Sequence, residues 1–226
     1  MFKAKSVRME PLGDQAVLVT LADEASVPDF ADAVRAGQPP WLVDVVPAYV
    51  TVAIYYDARQ TDYETVAAEL KRIRPSTTKR TGRCHQIPCC YELGPDLERV
   101  SAAVRQSQDD VIRLHSETVY TVYAIGFCPG FPYLGYLAAE LCGVPRLDEP
   151  RIRVEPGSVG ITGRQTGIYP LARPGGWNLI GRTPLELVNV EEVFFPLRAG
   201  DQVQFVRIDA DEYERRKGER LVGRPS

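Results

Sequence analysis

With 226 residues, 44% of them hydrophobic, the chain has material for two small packed domains or one large one. Its 27 basic and 30 acidic side chains leave a formal charge of -3, too balanced to draw the whole molecule to nucleic acid or to an anionic membrane. No apolar run reaches the roughly 18 residues of a membrane span. The amino end, MFKAKSVRMEPLGDQ, lacks the apolar core of a secretory signal, so the five cysteines are expected as reduced thiols in a cytoplasmic protein.

Residues 16–21 (AVLVTL) and 51–56 (TVAIYY) read as buried strands, being β-branched or aromatic and bounded by turn signals. Residues 41–46 predict a third strand, ended by Pro47. Ser26 is placed to cap a helix with Phe30, Ala33 and Val34 on one face, and Thr61 and Glu64 form a capping box for a helix showing Val66, Leu70 and Ile73. Strands interleaved with two helices predict a small α+β sandwich of ferredoxin-like type over residues 1–83. Residues 76–83 (STTKRTGR) carry no apolar anchor and read as a linker.

A second domain is expected over 84–208. Residues 87–91 predict a strand, and Asp96 and Asp109 are placed to cap two helices, the second ending near His115. Residues 119–125 are strongly β-prone. From Gly126 onward glycine and proline recur every few residues between short strand-like pieces at 178–181, 185–190 and 201–207, the pattern of an all-β barrel or sandwich. Residues 209–226 read as a charged C-terminal tail.

Three segments stand out chemically. In 126–135 (GFCPGFPYLG) two prolines and three glycines preset a loop on which Phe127, Phe131 and Tyr133 can wall a small pocket, with Pro129 and Gly130 at its turn. In 156–167 (PGSVGITGRQTG) glycines such as Gly157 let backbone N–H groups approach an anion, forming a nest. That segment is not a Walker A loop, for the Gly-Lys-Ser/Thr ending is missing, nor a nucleophile elbow, because Pro156 takes the first glycine position before Ser158. His115 is the candidate base, with a structural hydrogen-bonding role as the alternative. In 173–184 (RPGGWNLIGRTP) a Pro-Gly-Gly turn presents Trp177, with Arg182 and Thr183 following. From Arg146 to Arg182 there are six arginines, no lysine and three acidic residues, a local balance that favours a small anionic ligand. Cys84-His85 and Cys89-Cys90 invite a zinc reading, but adjacent side chains on a strand point to opposite faces, so no metal is expected.

Gly126-Phe127-x-Pro129-Gly130-Phe131-Pro132-Tyr133-Leu134-Gly135, then Gly157-Ser158-Val159-Gly160-Ile161-x-Gly163-x-Gln165-Thr166-Gly167-Ile168-Tyr169-Pro170, then Pro174-Gly175-Gly176-Trp177-x-Leu179-Ile180-Gly181-Arg182-Thr183 resemble the family of the 5-oxoprolinase B subunit, allophanate hydrolase subunit 1 and the Kip inhibitor of a sporulation histidine kinase. Shorter matches, such as 12–16 (LGDQA) and 94–97 (GPDL), extend the resemblance over most of the chain. It implies a cyclophilin-like barrel behind the smaller domain. It also implies work with a C-type and an A-type subunit, opening 5-oxoproline to glutamate at the expense of ATP with magnesium. In the sites so implied, His115 and Arg182 are catalytic candidates. Phe127, Pro129, Gly130, Phe131, Tyr133, Gly157, Ser158, Gln165, Thr166, Tyr169, Trp177 and Thr183 would bind substrate. Alternatives within the resemblance are a biotin-dependent carboxyltransferase subunit of the allophanate hydrolase and urea carboxylase type, and a non-catalytic inhibitor of a histidine kinase. Cys128, Glu155 and Arg164 depart from the family's usual residues, which bears on substrate identity more than on fold.

Overall fold

The computed structural model describes residues 7–73 and 82–222, and the chain divides into two compact units, Met1–Thr81 and Gly82–Ser226. Most of the expected linker, residues 76–81, lies outside the described residues.

The first unit is α+β. Strands β1 (Arg8–Pro11), β2 (Ala16–Thr20), β3 (Leu42–Ala48) and β4 (Thr51–Tyr56) pair antiparallel in the order β1-β2-β4-β3. Helices α1 (Ser26–Gly37) and α2 (Tyr63–Leu70) supply the remaining apolar surface. Val17 and Val19 alternate with outward residues on β2, as do Val52, Ile54 and Tyr56 on β4, so a period of two puts one face of the sheet against Phe30, Val34, Val66 and Leu70 at helical spacing. Strand β1, the first in sequence, lies outermost beside β2, and β4 lies between β2 and β3.

Local details differ from expectation. Pro47 does not end β3; it sits within the strand, opposite Val52. Ser26 is not the cap of α1: Asp23 Oδ1 accepts from its backbone N at 3.0 Å and its hydroxyl at 2.5 Å. Asp62 rather than Thr61 caps α2, accepting from Thr65 N at 2.9 Å, because an aspartate in extended backbone directly before the first turn reaches that donor.

The second unit is a closed seven-stranded mixed barrel. Its strands are β5 (Cys84–Cys90), β6 (Val119–Ile125), β7 (Pro132–Gly135), β9 (Ser158–Thr162), β10 (Gln165–Ile168), β12 (Asn178–Arg182) and β13 (Gln202–Ile208), and a short pair, β8 (Arg151–Val154) with β11 (Arg173–Gly175), lies outside it. The order is β6-β13-β5-β12-β9-β10-β7, closed by pairing of β6 with β7; β13 and β5 run parallel and the others antiparallel. Ile87, Tyr120, Val122, Leu134, Ile161, Ile168, Ile180 and Phe205 fill the interior. Helices α3 (Leu97–Val104) and α4 (Gln108–Glu117) add Val100, Val111 and Ile112 to that core. Ser107, not Asp109, caps α4 by accepting from Asp110 N at 3.1 Å. Residues 185–190 form no strand; Leu185 and Leu187 join the core from an irregular segment. The expected charged tail is charged only outwardly: α5 (Ala210–Arg216) buries Tyr213 against Cys90 and Ile208, and Leu221 reaches the barrel core. Among the described residues no helix is long and apolar enough to cross a membrane.

Candidate functional site

The loop after β6 is pinned by its own backbone. Cys128 N donates to Gly126 O at 2.8 Å, and Phe131 N to Cys128 O at 3.1 Å. Gly130, at φ +74°, lies so close to Val188 that a Cβ there would stand 2.1 Å from a Val188 methyl. The loop drives Phe131 to the centre of an aromatic cluster, with ring centroids 5.0 Å from Tyr133, 5.1 Å from Tyr169, 5.3 Å from Phe127 and 5.5 Å from Trp177, all edge-to-face. Gly167 makes room for this, since a Cβ on it would sit 2.9 Å from Phe131 and 3.0 Å from Trp177. Five rings from three separate sequence segments therefore meet at one place. Phe131, Tyr169 and Trp177 are buried in the packing, Tyr133 is half-buried, and Phe127 and Pro129 are exposed at the rim.

Tyr169 joins this cluster to the glycine-rich turn. Gly157 N donates to Tyr169 O at 2.7 Å and Tyr169 N to Ser158 O at 2.9 Å, while Ser158 N turns back to Glu155 O at 3.2 Å. Thr183 N donates to Gly157 O at 2.9 Å. The expected anion nest is thus corrected: its N–H groups are spent zipping the turn between strand ends. Ser158 and Thr183 are buried there, and Thr183 Oγ1 accepts from Leu185 N at 3.3 Å. Arg182 is half-buried, its Nε donating to Pro156 O at 2.9 Å. One hydrogen bond to a carbonyl at an exposed turn is a modest tie, so Arg182→Ala is expected to cost about 1 kcal/mol or less. A thermal melt checks this, and a large drop in midpoint would make Arg182 a structural residue. Gln165 lies at the far end of β10, opposite Gly135 and Thr162, and is not brought to the Tyr169 end of the strand.

His115 is not placed with either group as an accessible base. It is fully buried on α4, its ring 4.5 Å from that of Phe205. Nδ1 lies 2.7 Å from Tyr91 Oη and Nε2 lies 2.9 Å from Thr166 Oγ1, which itself donates to Gly160 O at 3.1 Å. Because the Thr166 proton is spent on that carbonyl, Nε2 must carry the hydrogen and Nδ1 must accept from Tyr91. Burial holds the pKa down to about 3, so the ring is neutral at ordinary pH. This is the structural hydrogen-bonding role, and Thr166 shares it rather than facing a ligand.

The six arginines separate by partner. Arg153 pairs with Glu155 at 2.6 Å and Arg164 stacks over the Tyr136 ring at 4.0 Å. Arg146, Arg151 and Arg173 instead act on the aromatic cluster. Burial raises the Tyr169 hydroxyl pKa while Arg146 and Arg151 oppose the rise; burial raises that of Tyr133 against Arg146, and that of the Cys128 thiol against Arg173. Asp96, expected only as a helix cap, holds this side together. Its Oδ2 accepts from Leu179 N at 2.7 Å and its Oδ1 from Arg151 Nη2 at 2.7 Å. These partners lie 83 and 55 residues away in sequence, beyond the reach of any local spacing rule. Among the described residues no three His, Cys, Asp or Glu side chains gather as a metal site; His85 faces Asp201 at 3.2 Å, and all five cysteines are free.

A family model described as carboxyltransferase domain, subdomain C and D, matches residues 7–194. The chain is 36% identical over 236 residues to the B subunit of 5-oxoprolinase from Bacillus subtilis (strain 168), covering 94% of this chain and 97% of that protein. The crystal structure of TTHA0988 is similar with a TM-score of 0.78 at 34% identity, over 87% of this chain and 40% of that longer one. The K. lactis urea amidolyase matches 97% of this chain and 16% of its own with a TM-score of 0.73 at 17% identity, a likeness of fold alone. On the extent of the family match and of the identity to a full-length relative, this chain belongs to the carboxyltransferase-domain family of subdomains C and D.

Proposed function

We propose that this chain is the B subunit of an ATP-dependent 5-oxoprolinase, an enzyme that opens the lactam of 5-oxoproline to give glutamate and works only as an assembly. The observation that carries the reading is identity of 36% spread over 97% of a relative of that name, rather than confined to one motif. A C-type and an A-type subunit complete the assembly, which we place in the cytoplasm. We also read the barrel as cyclophilin-like and the first unit as a variant of the ferredoxin-like sandwich.

ATP with magnesium supplies the activation that a stable amide requires before water can attack its carbon. The glycine-rich turn does not fit a triphosphate, because its N–H donors are already bonded within the barrel. We therefore assign nucleotide binding to a partner subunit and ligand positioning to this one. Its aromatic wall is preset by Gly130 and Gly167 and loses little entropy when a small ring packs on it. Arg146, Arg151 and Arg173 supply the positive side.

The test is co-expression with the adjacent C-type and A-type subunits, followed by an assay of ATP-dependent glutamate release from 5-oxoproline. Turnover that needs all subunits supports the reading. An intact assembly that is inert on 5-oxoproline, yet moves carboxyl groups to urea with a biotin carboxylase, would instead support the carboxyltransferase reading. In that alternative biotin is the cofactor.

A further inference from the structure

We propose that Arg146 and Arg151 form a carboxylate seat beside the Trp177 turn, so that this chain holds a small cyclic acid by its carboxylate with the ring body against Tyr133. In naming 5-oxoproline as that acid the inference rests on the function proposed above; the seat itself rests on the geometry.

The backbone pins both arginines to the Trp177 turn. Asn178 Nδ2 donates to Pro145 O at 2.8 Å, and Leu147 N donates to Gly176 O at 2.7 Å. The residues on either side of Arg146 are thus tied to the residues on either side of Trp177. Arg146 is exposed, and among the described residues its guanidinium has no hydrogen-bond or ion-pair partner. Arg151 stands opposite Gly175 in the β8–β11 pair, and Gly175 packs against the Tyr169 hydroxyl so closely that a Cβ would lie 2.3 Å from it. Asp96 fixes one arm of the Arg151 fork through Nη2, while the other arm, Nη1, is buried with no partner among the described residues.

A buried guanidinium N–H without an acceptor is a cost that a ligand oxygen would remove. Asp96 neutralises one of the two positive charges, which suits a singly charged carboxylate better than a phosphate dianion. The rings supply the second half of recognition. Tyr133 is half-buried and is backed edge-to-face by the buried Trp177, with centroids 6.0 Å apart, and a ring held in this way can pack on a compact hydrocarbon ring. The Arg146 charge also reaches the Tyr133 and Tyr169 hydroxyls, which places it on the cluster side of its loop.

Calorimetric titration of the full chain with 5-oxoproline, its neutral carboxamide and inorganic phosphate tests the seat. The acid is expected to bind, the carboxamide about tenfold or more weaker, and phosphate not to displace the acid. Arg146→Gln is expected to weaken the acid about tenfold at an unchanged melting temperature, and Arg151→Gln at least as much. In the assembled enzyme Arg146→Gln should raise KM for 5-oxoproline about tenfold, with kcat within about twofold and KM for ATP unmoved. Equal binding of carboxamide and acid overturns the seat, as does displacement by phosphate. So does Arg146→Gln behaving as wild type, or no acid binding together with an unmoved KM. An assembly inert on 5-oxoproline, in a chain that still binds small carboxylates through Arg146, would overturn the proposed reaction and leave the seat standing.

Discussion

Replacing His115 by alanine is expected to destabilise the chain by about 3–5 kcal/mol, lowering its melting temperature by roughly 10 °C. The ring is fully buried among Tyr91, Tyr120 and Phe205, so its removal opens a cavity in the barrel core. It also strands the Tyr91 hydroxyl, whose partner His115 Nδ1 lies at 2.7 Å. A melt within about 1 kcal/mol of wild type would show that the barrel interior repacks freely and that His115 is no structural element.

The same residue gives stability a pH dependence of known sign. With the folded pKa lowered to about 3, the folded chain keeps His115 neutral where the unfolded chain, at about 6.5, takes up a proton. Below pH 6.5 the unfolded state therefore binds more protons, and stability falls as pH falls. Between pH 7 and pH 5 the loss from this one group is on the order of 2 kcal/mol. His115→Gln cannot titrate, so its stability should decline less steeply over that window than wild type, although it starts lower. Parallel curves of stability against pH for the two proteins would refute the assignment. Catalysis offers an independent reading: a general base at His115 would make activity vanish in the glutamine variant even where the fold is intact.

How far the sequence reaches is clear from these side chains. Residues 51–56 and 119–125 are strands in the structure because β-branched and aromatic residues alternate between buried and outward positions along them. The aromatic wall was legible for a related reason. Gly130 and the prolines of 126–135 constrain the backbone locally, and each ring sits within a few residues of such a constraint. What could not be read was decided by distant partners. Asp96 looks like a helix cap from its neighbours, yet its carboxylate bonds Leu179 and Arg151 across the barrel. The glycine-rich turn looks like an anion nest until β10 pairs with β9 and brings Tyr169 O to the Gly157 donor, while Ser158 N turns back to Glu155 O. His115 has the composition of a base and the surroundings of a core residue, and only the closed barrel distinguishes them. Local chemistry fixes which conformations a loop can take; register decides which of its polar atoms remain for a ligand.

Gly157→Ala is expected to cost about 2–5 kcal/mol and to disturb Arg182 and Thr183 as it does so. Two effects add at this position. The residue sits at φ +84°, a region where a side chain costs about 1–2 kcal/mol. The added Cβ would also stand 2.4 Å from Thr183 O, a backbone atom held by the β12 pairing to β9 rather than the free end of a side chain. Gly163 separates the two contributions. It has φ +56° and nothing within 4 Å of where a Cβ would stand, so Gly163→Ala carries the conformational cost alone, about 1–2 kcal/mol. The difference between the two variants measures the steric conflict at Thr183, and denaturant unfolding of both yields it directly. If the two alanines destabilise equally, the 157–183 contact yields without cost and the turn is not the rigid support of the site. If Gly157→Ala alone is severe, and its assembled enzyme loses turnover while the Gly163 variant retains it, the close backbone approach is what holds Arg182 beside the pocket. The glycine then serves function through packing, with no contact of its own to the ligand.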